Sequence, residues 1–244
     1  MKLFIADSYE AMSKQAAEDL MSFLYSVEKP LICPASGASP TGLYKELINL
    51  IKTSGTDISN WSFVGLDEWK GMNGNDEGSC RDYLNKELFI PLQIQDHQIC
   101  FFDGRANDLN AECEQAENFI KKHGGIHVAI LGIGVNGHIG MNEPGTPVSM
   151  RSHVAAIHES TQQIGQKYFT QPKQIDAGLT LGLATLLESE HLMLLASGSN
   201  KAEIMNKALH APMSEEIPAT LLRNHPGFFV YADDEAAKYF KNTM

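Results

Sequence analysis

His127-Val128-Ala129-Ile130-Leu131 runs directly into Gly132-Ile133-Gly134-Val135-Asn136-Gly137-His138. A short apolar run closed by turn formers reads as a strand buried on both faces, the pattern of a parallel sheet. Four other runs read the same way: Leu31-Ile32-Cys33, Phe63-Val64-Gly65-Leu66, His191-Leu192-Met193-Leu194-Leu195 and Phe228-Phe229-Val230-Tyr231. Helical spacing fills the intervals. Met12, Ala16, Leu20 and Leu24 recur every four residues, as do Leu43, Leu47 and Ile51. Phe119 anchors a third helix ended by Gly124-Gly125, and Ile204 and Leu209 belong to a late one. The alternation predicts an α/β fold, a mostly parallel sheet with helices on both faces. Wide intervals between some strands leave room for extra edge elements. Strand order is not legible.

No repeat, low-complexity tract or linker divides the 244 residues, so one domain over 1–244 is expected. At 43% hydrophobic residues, the chain can bury a core without disulfides or metals. The four cysteines form no CxxC pair and no Cys/His ligand spacing, which suggests reduced thiols and a cytoplasmic setting. No run is long and apolar enough for a membrane span, and Asp7 comes too early for a secretory signal. A net charge of −11 argues against nucleic acid or an anionic membrane as partner. It permits a phosphorylated small molecule held by backbone amides and a few placed cations. A homo-oligomer stays open.

Ligands of open α/β sheets bind beyond the carboxyl ends of the strands, and the unusual residues fall there. Ser36-Gly37-Ala38-Ser39-Pro40 follows the first of these strands. Ser39 can cap the next helix, Pro40 suits its first turn, and Gly37 lets the backbone approach an anion. An ordinary strand–helix turn reads the same way. No Gly-Lys-Ser/Thr follows, so this is not a P-loop.

Gly132, Gly134 and Gly137 match G-x-G-x-x-G, but Pro144, Gly145 and Pro147 forbid the long helix a dinucleotide site needs. The loop more simply presents Asn136 and His138. An imidazole there can move protons near neutral pH, with Glu143 fixing its tautomer; a structural histidine is the alternative. Asp67, at a strand end beside Glu68 and Trp69, is either a base or a loop cap. Lys201, in the first turn of a late helix, opposes the helix dipole unless an anion sits against it; a solvated lysine is the alternative. Asp233-Asp234-Glu235 reads as a solvated helix start without a catalytic role. No metal-binding histidine pair on a helix is present.

Taken together, the motifs resemble the glucosamine-6-phosphate deaminase family, including its galactosamine-6-phosphate relatives. They are Ser36-Gly37-Ala38-Ser39-Pro40, Leu66-Asp67-Glu68-Trp69, Gly134-Val135-Asn136-Gly137-His138 with Asn142-Glu143-Pro144-Gly145, Leu179-Thr180-Leu181-Gly182, and Ser197-Gly198-Ser199-Asn200-Lys201. The resemblance implies a Rossmann-like fold of the sugar-phosphate isomerase/deaminase type. It implies that His138, oriented by Glu143 and Asn136, opens the sugar ring. Asp67 then moves a proton from C2 to C1. Ser36, Gly37, Ala38, Ser39 and Lys201 hold the phosphate, with no metal or organic cofactor.

Two departures stand out. Glucosamine-type enzymes usually have Asp where this chain has Asn136, and an arginine near Thr161-Gln162-Gln163 that is missing here. The galactosamine branch shares Asn-Gly-His, Thr-Gln-Gln and Asp-Glu-Trp, which points to galactosamine 6-phosphate, with glucosamine 6-phosphate as the alternative. The related 6-phosphogluconolactonases share the Gly-His loop but continue differently at Asn142-Glu143-Pro144. A non-catalytic sugar-phosphate sensor would need a DNA-binding module, for which no residues are spare. The chain is also short for the allosteric hexameric enzymes, so no dedicated allosteric site is expected.

Overall fold

The computed structural model describes residues 1–241. Seven strands form one parallel sheet: β1 (Lys2–Ala6), β2 (Leu31–Cys33), β3 (Ser62–Val64), β5 (Ile99–Cys100), β6 (Val128–Leu131), β9 (His191–Ala196) and β10 (Phe228–Asp233). Their order is β1-β10-β9-β6-β2-β3-β5. From β2 the chain steps outward to β3 and β5. It then returns to the other side of β2 as β6 and continues to β9 and β10. The reversal between β2 and β6 is the switch point at which such sheets open a crevice.

All five expected strands are in this sheet. β1 and β5 complete it at the edges, where period-2 burial is weak and the sequence signal is short. Inside, alternate residues serve opposite faces. Leu31, Ala129, Leu131, Leu192, Leu194 and Val230 pack with α4 (Leu109–Lys122) and α7 (Ala202–His210). Ile32, Val128, Ile130, Met193, Leu195 and Tyr231 pack with α1 (Tyr9–Leu24) and α2 (Ala38–Ser54). Truncating a fully buried residue such as Leu194 to Ala would cost about 2–5 kcal/mol.

A second, antiparallel sheet carries β4 (Asp67–Trp69), β8 (Ala177–Thr180) and β7 (His153–Ala156), in that order. It shares a smaller core of Trp69, Met72, Cys80, Met141, Ala155, Ile157 and Ile175. These strands are short, and β7 is buried at only one of its four positions, so they lack the long apolar runs of the main sheet. They are the extra elements for which the wide intervals left room. No helix among the described residues is long and apolar enough to cross a membrane.

Candidate active site

A cavity of about 370 Å³ opens at the carboxyl ends of β2, β3, β6 and β9, which are neighbours in the sheet. It is lined by the loops after all four, together with residues 161–168. Ser36, Gly37, Ala38, Ser39, Asp67, His138 and Lys201 all reach it. Asn136 and Glu143 stand behind His138 and are not in its lining.

The loop after β2 is held by its carbonyls. Tyr44 donates to the Ala35 carbonyl at 2.7 Å, Tyr9 to that of Ala38 at 2.8 Å, and Thr41 to that of Gly37 at 3.0 Å. Ser39 does not cap α2, contrary to expectation. Gly37 is the N-cap, at φ +118°, and makes no side-chain cap hydrogen bond. A β-carbon would be strained at that φ, whereas glycine adopts it freely. The uncapped first turn leaves its amides for an anion in the cavity.

Asp67 and Glu68 sit side by side on β4 and face opposite ways. Glu68 is fully buried and accepts amide hydrogens from Trp69 at 2.8 Å, Cys80 at 2.9 Å and Arg81 at 3.0 Å. It thereby pins α3 (Cys80–Leu84) beside the cavity. Burial pushes its acid up to about 7 against the pull of those amides. Asp67 faces the cavity and is pushed up to about 6, also by burial, with the Cys80 thiol and His138 pulling the other way. A carboxylate so placed is a stronger base than one in water, yet is largely ionised at neutral pH.

The His138 loop is a hydrogen-bonded relay. Asn136 donates from Nδ2 to Glu143 Oε2 at 2.8 Å, which turns its Oδ1 toward His138. That oxygen lies 2.7 Å from His138 Nδ1 and also accepts the His138 amide at 3.2 Å. The network assigns the Nδ1 proton to this side, and Nε2 makes no hydrogen bond among the described residues. Glu143 itself is 3.6 Å from Nδ1, so Asn136, and not Glu143, is the immediate orienting group. Burial alone would raise the Glu143 acid. The nearby His138, with help from Thr161 and the hydrogen bond from Asn136, outweighs burial and holds it at about 2. Gly134 leaves space for the ring: a β-carbon there would lie 2.1 Å from His138 Cε1. No long helix follows Gly137, as Pro144 and Pro147 required.

Lys201 ends a short 3-10 turn (Ser199–Lys201) and its Nζ donates to the Ile133 carbonyl at 2.7 Å. Burial lowers its pKa to about 8, with a smaller push from Lys167. Lys167 is a cation that sequence reasoning passed over, and it lines the same cavity. One signal could have found it: it is the single lysine or arginine between Arg151 and Lys173. Thr161 was given no role in the site, yet its hydroxyl lies 3.3 Å from His138 Nδ1. The acidic run Asp233-Asp234-Glu235 is not a solvated helix start, for its first residue ends β10. Asp233 is buried, not solvated, and accepts from the Ser197 hydroxyl at 2.5 Å and the Gly198 amide at 3.1 Å. It braces the loop that precedes Lys201.

Residues 6–230 match the sequence model of a family described as glucosamine-6-phosphate isomerases/6-phosphogluconolactonase. A glucosamine-6-phosphate deaminase of Oceanobacillus iheyensis is 35% identical over 250 residues, covering all of both chains. One from a Geobacillus species is 38% identical over 240 residues, covering 97% of this chain and 94% of its own. The solved structure of a monomeric glucosamine-6-phosphate deaminase superposes with a TM-score of 0.94 at 35% identity, covering 98% of this chain and 99% of that one. A 6-phosphogluconolactonase from Trypanosoma brucei shares the fold, with a TM-score of 0.74 at 18% identity over 98% of each chain.

Proposed function

Because this chain belongs to the glucosamine-6-phosphate isomerase/6-phosphogluconolactonase family, we propose that it converts glucosamine 6-phosphate and water to fructose 6-phosphate and ammonia. The observation that supports this most is the meeting of two acid–base groups, Asp67 and His138, and two lysines around one cavity. In this reading the α2 start, Lys167 and Lys201 bind the phosphate, so that remote binding positions the sugar. His138 Nε2 takes the proton of the C1 hydroxyl and passes it to the ring oxygen as the C1–O5 bond breaks and C1 becomes a carbonyl. Asp67 takes the C2 proton as O1 takes up a proton, giving an enolamine. Asp67 then returns its proton to C1 as the nitrogen lone pair forms the C2=N bond and an amine proton is released, leaving an imine at C2. Water adds at C2, the C–N bond breaks, and the amine leaves as ammonia.

The sequence features that pointed to galactosamine 6-phosphate lose their force. Asn136 bridges His138 to Glu143, a role that says nothing about the hydroxyl at C4. Lys167 supplies positive charge on the segment where the arginine was missing. The relatives at 35–38% identity bear the glucosamine name, and no support for a galactosamine preference accompanies them.

The test is ammonia release from both amino-sugar phosphates in parallel, with purified protein and no added cofactor. Faster release from the glucosamine compound is expected. A preference for galactosamine 6-phosphate would restore the C4 epimer, and no ammonia from either would remove the deaminase reading.

A further inference from the structure

Leu179-Thr180-Leu181-Gly182 has no part in the chemistry above. Thr180 is fully buried where three segments meet. On β8 it stands opposite Asp67 of β4 on one side and opposite His153 of β7 on the other. Its Oγ1 accepts the Met141 amide hydrogen at 3.1 Å, which ties it to the loop carrying His138. Its own proton faces the Leu181 carbonyl at 3.1 Å and the Leu66 carbonyl at 3.4 Å.

The next residue repeats the arrangement. The Leu181 amide donates to the Leu66 carbonyl at 2.9 Å, immediately before Asp67. Asn142 Nδ2 donates to the Leu181 carbonyl at 2.9 Å and to the Ile139 carbonyl at 2.8 Å. Between these ties the His138 loop passes so close that a β-carbon on Gly140 would lie 2.8 Å from Thr180 Oγ1. Asp67 and His138 come from separate segments, and no hydrogen bond joins their side chains among the described residues. Their spacing is therefore a property of the backbone that holds them.

We propose that Thr180 is a positioning residue: its hydroxyl clamps the His138 loop to the strand bearing Asp67 and so sets the distance between the two acid–base groups. This rests on the deaminase reading, in which both groups serve one substrate. A group that only stabilised the fold would, on removal, lower the amount of active protein. Loss of spacing instead lowers turnover in protein that still binds substrate, because proton transfer is far more sensitive to misplacement than phosphate binding is.

Thr180→Val keeps the shape and removes the oxygen, while Thr180→Ser keeps the oxygen. The valine variant should lose about 10- to 100-fold in kcat, with KM within roughly threefold of wild type. The serine variant should recover most of the loss. The His138 ring titration, followed by NMR, should move in the valine variant and stay in place in the serine variant. Should the valine protein not fold, Thr180→Ala makes the same comparison. Unchanged kcat in the valine variant, or equal losses in the valine and serine variants, would overturn the proposal. If wild-type protein releases no ammonia, the deaminase reading fails and the ring titration decides alone: an unmoved midpoint in Thr180→Val would sink the positioning role.

Discussion

Asp67 and Glu143 are carboxylates placed on either side of one histidine, and their surroundings drive them in opposite directions. Asp67 sits at the cavity wall with a thiol beside it, and burial lifts it to about 6. Glu143 sits behind the loop, where His138, Thr161 and Asn136 hold it at about 2 despite burial. One is left able to exchange a proton near neutral pH, and the other stays charged. Divergent environments for like groups are how one site separates a base from an orienting charge.

In the deaminase reading Asp67 is the base, and its removal should have the largest effect. Asp67→Asn is expected to lower turnover by about 10²–10⁴-fold with substrate binding almost unchanged. Its folded pKa is raised, so ionising Asp67 costs the folded state. That cost is absent below about pH 4, builds between pH 4 and 6, and is fully present above 6. The asparagine variant should therefore be more stable at pH 7, by at most about 3 kcal/mol, with no gain at pH 4. Equal turnover, or lower stability at pH 7, would take Asp67 out of this role. Glu143→Gln removes the orienting charge and should cost about a hundredfold in kcat, as misplacement of a catalytic group does. Its stability effect has the opposite sign. Glu143 is depressed, so its contribution is present above pH 4.5 and is lost as pH falls toward 2. Melting curves of wild type and variant should therefore converge in acid.

Two weaker effects sharpen the contrast. Lys201→Ala should raise KM roughly thirtyfold for the phosphorylated sugar, the size of a lost charge-assisted hydrogen bond. An equal loss on the unphosphorylated sugar would deny Lys201 its phosphate. On the acid side, kcat/KM should fall about tenfold per pH unit below 6, following Asp67 and not Glu143. A plateau extending to pH 4.5 would separate the rate from Asp67.

The main sheet was legible because its strands are buried on both faces and read as unbroken apolar runs. The small sheet was not, because Asp67-Glu68-Trp69 and His153–Ala156 have no apolar run to mark them. Cavity residues that follow a strand directly, such as Ser36, Asp67 and His138, could be placed by the strand before them. Lys167 and Thr161 could not: they lie on the helix α5 (Glu159–Gly165) and the 3-10 turn after it (Gln166–Tyr168), and the strand before them, β7, has no apolar run to mark it. The solvated reading of Asp233 failed for a related reason. Three acidic residues in a row look like surface, and only the fold reveals that Ser197 and Gly198 bond to the first of them.

Asn136→Asp should have the smallest effect on rate and is the most direct probe of the relay. The amide now presents a donor to Glu143 at 2.8 Å and an acceptor to His138 at 2.7 Å. An aspartate keeps the acceptor but puts a second negative oxygen against Glu143. Like charges at that distance do not both ionise without cost, so the Glu143 acid should rise from its low value. The repulsion is relieved when a proton is shared, so the variant should melt further below wild type at pH 7.5 than at pH 4.5. Turnover should stay within about threefold of wild type, because the acceptor that fixes the His138 tautomer is retained. A melting difference that does not change with pH would show that residues 136 and 143 are not coupled through this contact. A tenfold gain in turnover would mean instead that the asparagine holds the enzyme back, and that the charge beside His138 limits the rate.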